Sequence, residues 1–350
     1  MEPSDMITIA VVGCGYWGPN LIRNFRQLPN CHVLICCDQD PQKLDRMKAL
    51  FPEIQTTHDV NRVIQNPVVD AVAIATPVRT HFELAKNVLT YDKHVFVEKP
   101  LCDSSDACLD LIRLAEAQRR VLMVGHTFEY AAAVNKIREI VKNGDLGEIL
   151  YVSSLRLNLG LFQPDINVVW DLAPHDISII TYVLGKPCLS VNCQGRGHYR
   201  KEIEDVASMS LSFSNETMAF IQSSWLDPNK VRKTTIVGSK KMLVYDDTEP
   251  QEKIKIYDKG VDLPPYYDTY GEFPFSYRYG DIYSPRIQDY EPLRLECSHF
   301  LECIEKNVTP RSSGYDGLRV VSVLEAATES LKRDGASVPV KYAKLLENAA

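Results

Sequence analysis

At 350 residues and 45% hydrophobic, the chain carries enough apolar material for two cores rather than one. A net charge of −7 provides no basic surface for nucleic acid or for an anionic membrane, so the expected partners are small molecules and further copies of the chain. No apolar run approaches the roughly 20 residues of a membrane span, the first six residues are too short and polar for a signal peptide, and the ten cysteines show no CxxC pairing, which together predict a cytoplasmic protein with reduced core thiols and no metal site.

The first element in the chain sets the reading of the rest. In ITIAVVGCGYWGPNLIRNF, residues 7–25, an apolar run breaks into Gly13, Gly15 and Gly18 and then resumes with helical spacing, which predicts strand, glycine turn and helix. Gly13 permits a tight turn, Gly15 lets the backbone approach a diphosphate, and Gly18 lets the helix pack on the strand. The helix start turns free N–H groups and its positive dipole end toward the anion. A second apolar run over 33–37 ends at Asp38, about twenty residues after the last glycine, where a dinucleotide fold places the carboxylate for the adenosine ribose hydroxyls. Followed by Asp40 and not by arginine, that carboxylate repels a 2′-phosphate, so the expected cofactor is NAD.

Strand and helix signals then alternate: helix over 41–51, strand over 69–75, helix over 81–89, strand over 94–97, a helix capped by Ser104 or Ser105 and running to about 119, and strand over 121–124. This alternation predicts one parallel sheet with right-handed crossovers, a domain over 1–126. Over 127–350 the pattern changes. A helix near 132–141 precedes strands over 149–158, 190–195, 207–213, 218–224, 234–237 and 242–245, which fit a mainly antiparallel sheet. A helix over 174–184 interrupts them, and helices over 293–305 and 317–333 close the chain. Between Tyr257 and Tyr290 the sequence reads as an irregular stretch rich in tyrosine (266, 267, 270, 277, 279 and 283 as well as the two ends), expected to serve as an interface or a lid.

Ligands of an open parallel sheet lie outside the carboxyl ends of its strands. That rule selects Ala75-Thr76-Pro77, Glu98-Lys99-Pro100 and Gly125-His126. In the second domain WDLAPHD, residues 170–176, places Asp171 and His175 four apart on one helical face. A histidine oriented by a carboxylate is a proton-transfer unit, and a lysine nearby polarises a hydroxyl.

The combination of GCGYWG, ATP followed by His81, EKP and the Asp171-x3-His175 spacing resembles the glucose-fructose oxidoreductase/inositol dehydrogenase/MocA family across nearly the whole chain. The resemblance implies an α/β protein with an N-terminal Rossmann domain and a C-terminal α/β domain whose open, mainly antiparallel sheet forms a homodimer or homotetramer. It implies hydride transfer between NAD and a secondary hydroxyl of a sugar or cyclitol. Carried over by position, Lys99, Asp171 and His175 are the catalytic set. Gly13, Gly15, Tyr16, Trp17, Gly18, Asp38, Thr76, Pro77, His81 and Glu98 line the cofactor.

GHTFEY at 125–130, RLNLG at 156–160 and NVVWDLAPHDISII at 167–180 are similar to nucleotide-sugar members, especially UDP-N-acetylglucosaminuronate 3-dehydrogenases. This resemblance implies oxidation at C3 of a nucleotide sugar. Arg156 and Asn158, together with Lys99, Asp171 and His175, are the expected substrate contacts, and Lys230, Arg232 and Lys233 form a small basic group. The competing readings are an inositol or free-sugar dehydrogenase, an NAD-dependent glycoside-cleaving enzyme, and a non-catalytic NAD-binding sensor.

Overall fold

The computed structural model describes residues 6–163, 165–262, 276–288 and 290–342. The chain divides into two compact units, one built from Met1–Tyr130 and Glu291–Ser322, the other from Ala131–Tyr290 and Val323–Lys341. A single cut at 126 would assign both C-terminal helices to the second domain. Instead the helix Pro292–Lys306 and the start of Gly314–Lys332 belong to the first unit.

In the first unit, β1 (Ile7–Val12), β2 (Cys31–Cys37), β3 (Gln55–Thr57), β4 (Ala71–Ile74), β5 (His94–Glu98) and β6 (Leu122–Gly125) form one sheet in the order β3-β2-β1-β4-β5-β6. Every pair is parallel. Strands buried on both faces need continuous apolar runs, and β1 and β4 are buried at every position. The crossovers are α1 (Gly18–Arg26), α2 (Pro41–Leu50), the short α3 (Asn61–Ile64), α4 (His81–Thr90) and α5 (Ser105–Ala117). Local chemistry sets their ends: Asp40 and Ser104 accept N–H groups of the first turns of α2 and α5. The order reverses at β1/β4, the Rossmann switch point. The Pro292–Lys306 helix, α8, closes this core with Phe300, whose ring meets Phe25 and Phe96 edge-on at 6.3 and 5.8 Å. All ten cysteines are buried and unbridged.

In the second unit, α6 (Ala132–Lys142) and α7 (Val168–Leu184) pack together, and α7 lies on a nine-stranded sheet. Its strands are β7 (Ile149–Leu157), β8 (Cys188–Arg196), β9 (Val206–Phe213), β10 (Met218–Ser224), β11 (Val231–Gly238), β12 (Met242–Asp246), β13 (Ile254–Asp262), β14 (Ser276–Tyr283) and the short β15 (Val338–Pro339), in the order β14-β13-β12-β11-β7-β10-β9-β8-β15. Pairing is antiparallel except between β7 and β10. The other face leaves Tyr151, Met218 and Phe220 exposed.

The short β3, α3 and β15 are not expected from the sequence, and α7 and the tyrosine-rich stretch differ from its reading. Helix α7 begins at Val168 under an Asn167 cap, with Pro174 inside it; proline more often opens a helix than sits within one, which moved the expected start to 174. The tyrosine-rich stretch is not irregular throughout, since Tyr257 lies on β13 and Tyr277, Tyr279 and Tyr283 on its partner β14. Tyr266, Tyr267 and Tyr270 lie outside the described residues. Among the described residues no helix is long and apolar enough to cross a membrane.

Candidate active site

The glycines of the first loop have distinct tasks. Gly13 has φ of +96°, and a Cβ there would lie 2.5 Å from the carbonyl oxygen of Ala75; a Cβ on Gly18 would lie 2.0 Å from that of Gly13. These two allow strand and helix to approach. Gly15 is different, with nothing within 4 Å of its Cβ position, so this side of the loop is open to a bulky anion. Tyr16 is exposed, whereas Trp17 packs against the core. Asp38, directly after β2, accepts the Cys14 N–H at 2.7 Å and the Asp40 N–H at 2.9 Å. A carboxylate has about four acceptor positions, so Asp38 fastens the glycine loop and keeps capacity for ribose hydroxyls. These residues fit a dinucleotide.

At the ends of β4, β5 and β6, Thr76 and Lys99 are half-buried and Pro77 is exposed. His81 has a different position from the one expected of a cofactor contact. It is 1% exposed, with Nδ1 at 2.9 Å from the Pro100 carbonyl oxygen and Nε2 at 2.8 Å from that of Thr76. Burial outweighs these bonds and lowers its pKa. A ring with a single N–H donates to only one of these carbonyl oxygens, so His81 braces the two loops through one hydrogen bond and one close polar contact.

Glu98 is 4% exposed, and its Oε1 has no hydrogen-bond partner among the described residues. Burial pushes its carboxyl up to about 7, against the downward pull of Lys99. His126 is buried with neither ring nitrogen partnered among the described residues, and burial, helped by the Lys99 charge, pushes it down to about 3. Below them Glu296 of α8 is fully buried; its Oε2 accepts the Thr127 hydroxyl at 2.7 Å while Oε1 is unpartnered among the described residues. Burial, then the Glu98 charge, raise its pKa well above the carboxylate range. Buried polar atoms without partners cost free energy, and among the described residues four of them cluster at this end of the sheet. The sequence reading missed Glu296, which lies far along the chain with no local motif around it.

In the second unit, the Asn167 side chain accepts the Trp170 N–H at 3.1 Å, starting α7. Asp171 follows in the first turn, and the indole N–H of Trp225 donates to its Oδ2 at 2.9 Å. His175 stands one turn later, half-buried. Trp225, also missed as a site residue, is 1% exposed and carries Phe162 against its ring at 5.3 Å, which in turn meets the exposed Tyr199 at 5.4 Å. Asn158 lies beside Gly160, whose Cβ position is 2.8 Å from Trp225 and 3.2 Å from the Asn158 amide.

Arg156 has another role than the expected contact with a substrate charge. It is 5% exposed, and its Nε donates to Asp176 Oδ2 at 2.6 Å, with Ser154 donating to Oδ1 at 2.7 Å. The alternation that put Arg156 on β7 pointed it into the interior. Of the basic group, Arg232 lies 3.3 Å from Asp247, while Lys230 and Lys233 are exposed.

Residues 7–126 match the model of an oxidoreductase family with an NAD-binding Rossmann fold, and residues 134–244 match the GFO/IDH/MocA C-terminal domain. Myo-inositol 2-dehydrogenase of Thermotoga maritima is 24% identical over 344 residues, covering 93% of this chain and 96% of its own. The solved structure of UDP-N-acetylglucosamine 3-dehydrogenase from Acidithiobacillus ferrooxidans superposes with a TM-score of 0.77 at 20% identity, over 95% of this chain and 99% of its own. Levoglucosan dehydrogenase in complex with NADH does so with a TM-score of 0.80 at 18% identity, over 96% and 100%. With its glycine loop, its Asp38 and both domain models matched in order, the chain belongs to the GFO/IDH/MocA family and is an NAD-dependent oxidoreductase.

Proposed function

We propose that the protein oxidises a secondary hydroxyl at C3 of a nucleotide sugar of the UDP-N-acetylglucosaminuronate type. The observation that carries this reading is the Asp171 carboxylate, held by Trp225 one helical turn before His175. A secondary alcohol yields hydride readily only as its proton leaves. His175 takes that proton as general base, and Asp171 stabilises the imidazolium that forms. Lys99 donates to the same oxygen and stabilises its developing negative charge. Bound NAD supplies the hydride acceptor. Gly15 would admit its diphosphate at the loop that Gly13 and Gly18 allow to close, and Asp38 would take its ribose hydroxyls.

The nucleotide-sugar assignment is supported by the motifs over 125–130, 156–160 and 167–180 and by the exposed aromatic rings of Phe162 and Tyr199, which offer a planar base a stacking surface beside Trp225. Arg156 is left out of the substrate contacts. The exposed Tyr151, Met218 and Phe220 of the open sheet face are the surface for a homodimer or homotetramer.

Incubation of the protein with NAD and a panel of UDP-sugars and cyclitols, with products identified by mass, tests the reading. The expected result is loss of two hydrogens from one UDP-sugar with formation of NADH. A free cyclitol is the second reading, favoured by the likeness to a myo-inositol 2-dehydrogenase over nearly the whole chain. Thermal protection by UDP alone separates the two.

A further inference from the structure

We propose that Glu98 is a redox-linked proton site: it gives up its proton when oxidised dinucleotide binds and holds a proton when reduced dinucleotide is bound. The inference rests on the NAD-dependent dehydrogenase reading and concerns the first unit alone.

The argument begins with position. Glu98 is the last residue of β5, at the carboxyl end of the sheet where a dinucleotide lies. Its carboxyl group rests over Gly125, where a Cβ would stand 3.0 Å from Glu98 Cδ and Oε2, so the glycine makes room for it. Four polar atoms at this end, Glu98 Oε1, both ring nitrogens of His126 and Glu296 Oε1, are buried without hydrogen-bond partners among the described residues. The groups that interact with Glu98 are Lys99 beside it in sequence and, on α8, Glu296, which Glu129 also approaches, and the buried Cys297. His126 follows Gly125, the partner of Glu98 on β6, and feels the charge of Lys99. Burial pushes His126 down to about 3 and, together with the Glu98 charge, raises Glu296 well above the usual carboxylate range. Glu98, pushed up to about 7, is thus the group in this cluster poised to change charge.

Oxidised nicotinamide carries a positive charge and reduced nicotinamide none. In a buried site a cation favours the carboxylate and its loss favours the acid. Oxidation of the alcohol then balances within the site. The C–H bond breaks with its electron pair going to the nicotinamide, and the O–H bond breaks with its proton passing first to His175. As His175 returns that proton to solvent, the Glu98 carboxylate takes one up because the nicotinamide has lost its charge. Secondary alcohol, oxidised dinucleotide and Glu98 carboxylate become ketone, reduced dinucleotide and Glu98 carboxylic acid. The proton leaves with the exchange of reduced for oxidised dinucleotide.

Calorimetric titration of the protein with NAD+ and with NADH, each in buffers of different ionisation enthalpy at pH 7, counts the protons directly. The expected result is that binding of NAD+ releases protons relative to binding of NADH, with a difference of about one proton between the two nucleotides. Glu98→Gln should abolish the difference, whereas Glu296→Gln, which keeps the size and polarity of the neighbouring side chain and leaves Glu98 in place, should keep it. Infrared difference spectra of the two wild-type complexes provide the same test without substitution: a protonated carboxylic acid band is expected with NADH and not with NAD+. Equal proton counts for the two nucleotides, or a difference that survives in Glu98→Gln, would overturn the proposal. Absence of any binding heat together with absence of thermal protection by NAD would overturn the cofactor reading itself.

Discussion

The indole N–H of Trp225, at the end of β10, donates to Asp171 Oδ2 at 2.9 Å and fixes one oxygen of the carboxylate proposed to support His175. A hydrogen bond to a charged group contributes about 1.5–3 kcal/mol. Trp225→Phe keeps most of the buried ring and removes the donor. Turnover is expected to fall about tenfold or more, with NAD affinity unchanged. Steady-state rates beside a nucleotide titration check this, and unchanged turnover would separate Asp171 from the chemistry.

Gly15 and Gly18 predict opposite outcomes for the same substitution. Gly18→Ala puts a methyl group 2.0 Å from the Gly13 carbonyl oxygen and should destabilise the fold by several kcal/mol. Gly15→Ala meets nothing within 4 Å, so its melting temperature should stay within about 2 °C of wild type while NAD affinity falls strongly. Thermal melts with and without NAD distinguish the two.

Asp38→Asn retains an acceptor for one of the N–H groups of Cys14 and Asp40 but removes the charge. Affinity for NAD should fall about tenfold, and discrimination against NADP should weaken because the repulsion of a 2′-phosphate is gone. Fluorescence titrations with both nucleotides give the ratio.

Arg156→Ala leaves the Asp176 carboxylate buried and short of its main cation, which costs about 3–5 kcal/mol. Denaturant unfolding should show this loss. A changed KM for substrate at unchanged stability would return Arg156 to the substrate.

His94 sets a dependence on acid. Its Nδ1 accepts the Val121 N–H at 3.0 Å, and burial, then the Arg120 charge, push its pKa from 6.5 down to about 4. The neutral ring is the folded form, so its contribution to stability is complete above pH 6.5 and is lost as the pH falls toward 4, by about 3 kcal/mol in all. His94→Gln should flatten that part of the curve of unfolding free energy against pH.

What could be read from the sequence follows from how local each constraint is. The glycine loop and Asp38 were legible because a diphosphate and a ribose demand particular residues at short, fixed spacings. Most strands of both sheets were legible from apolar periodicity, within a few residues at their ends, whereas the two- and three-residue strands β15 and β3 are too short to show a period. The edge strand β14 and its neighbour β13 were not legible, because β14 has no buried face and the order of the two comes from backbone pairing, β14 on β13 and β13 on β12. His81 and Arg156 carry residue types that suit a site, yet their partners, Pro100 and Asp176, lie 19 and 20 residues on and were invisible to any local pattern. Glu296 reaches the end of β6 only through the packing of α8.

The division of the chain sets an order of events during synthesis. The opening Rossmann segment ends at Tyr130, but α8, whose Phe300 completes its aromatic core, follows only after the roughly 160 residues of the intervening unit. At about 5–20 residues per second the ribosome takes roughly 8–30 s to deliver that helix. Through this interval Phe25 and Phe96 lack the ring that covers them in the folded protein, which leaves apolar surface of the first unit open to water. The same interval makes a fragment ending at residue 126 a poor stand-in for the nucleotide-binding half, because the piece that seals it is encoded far downstream.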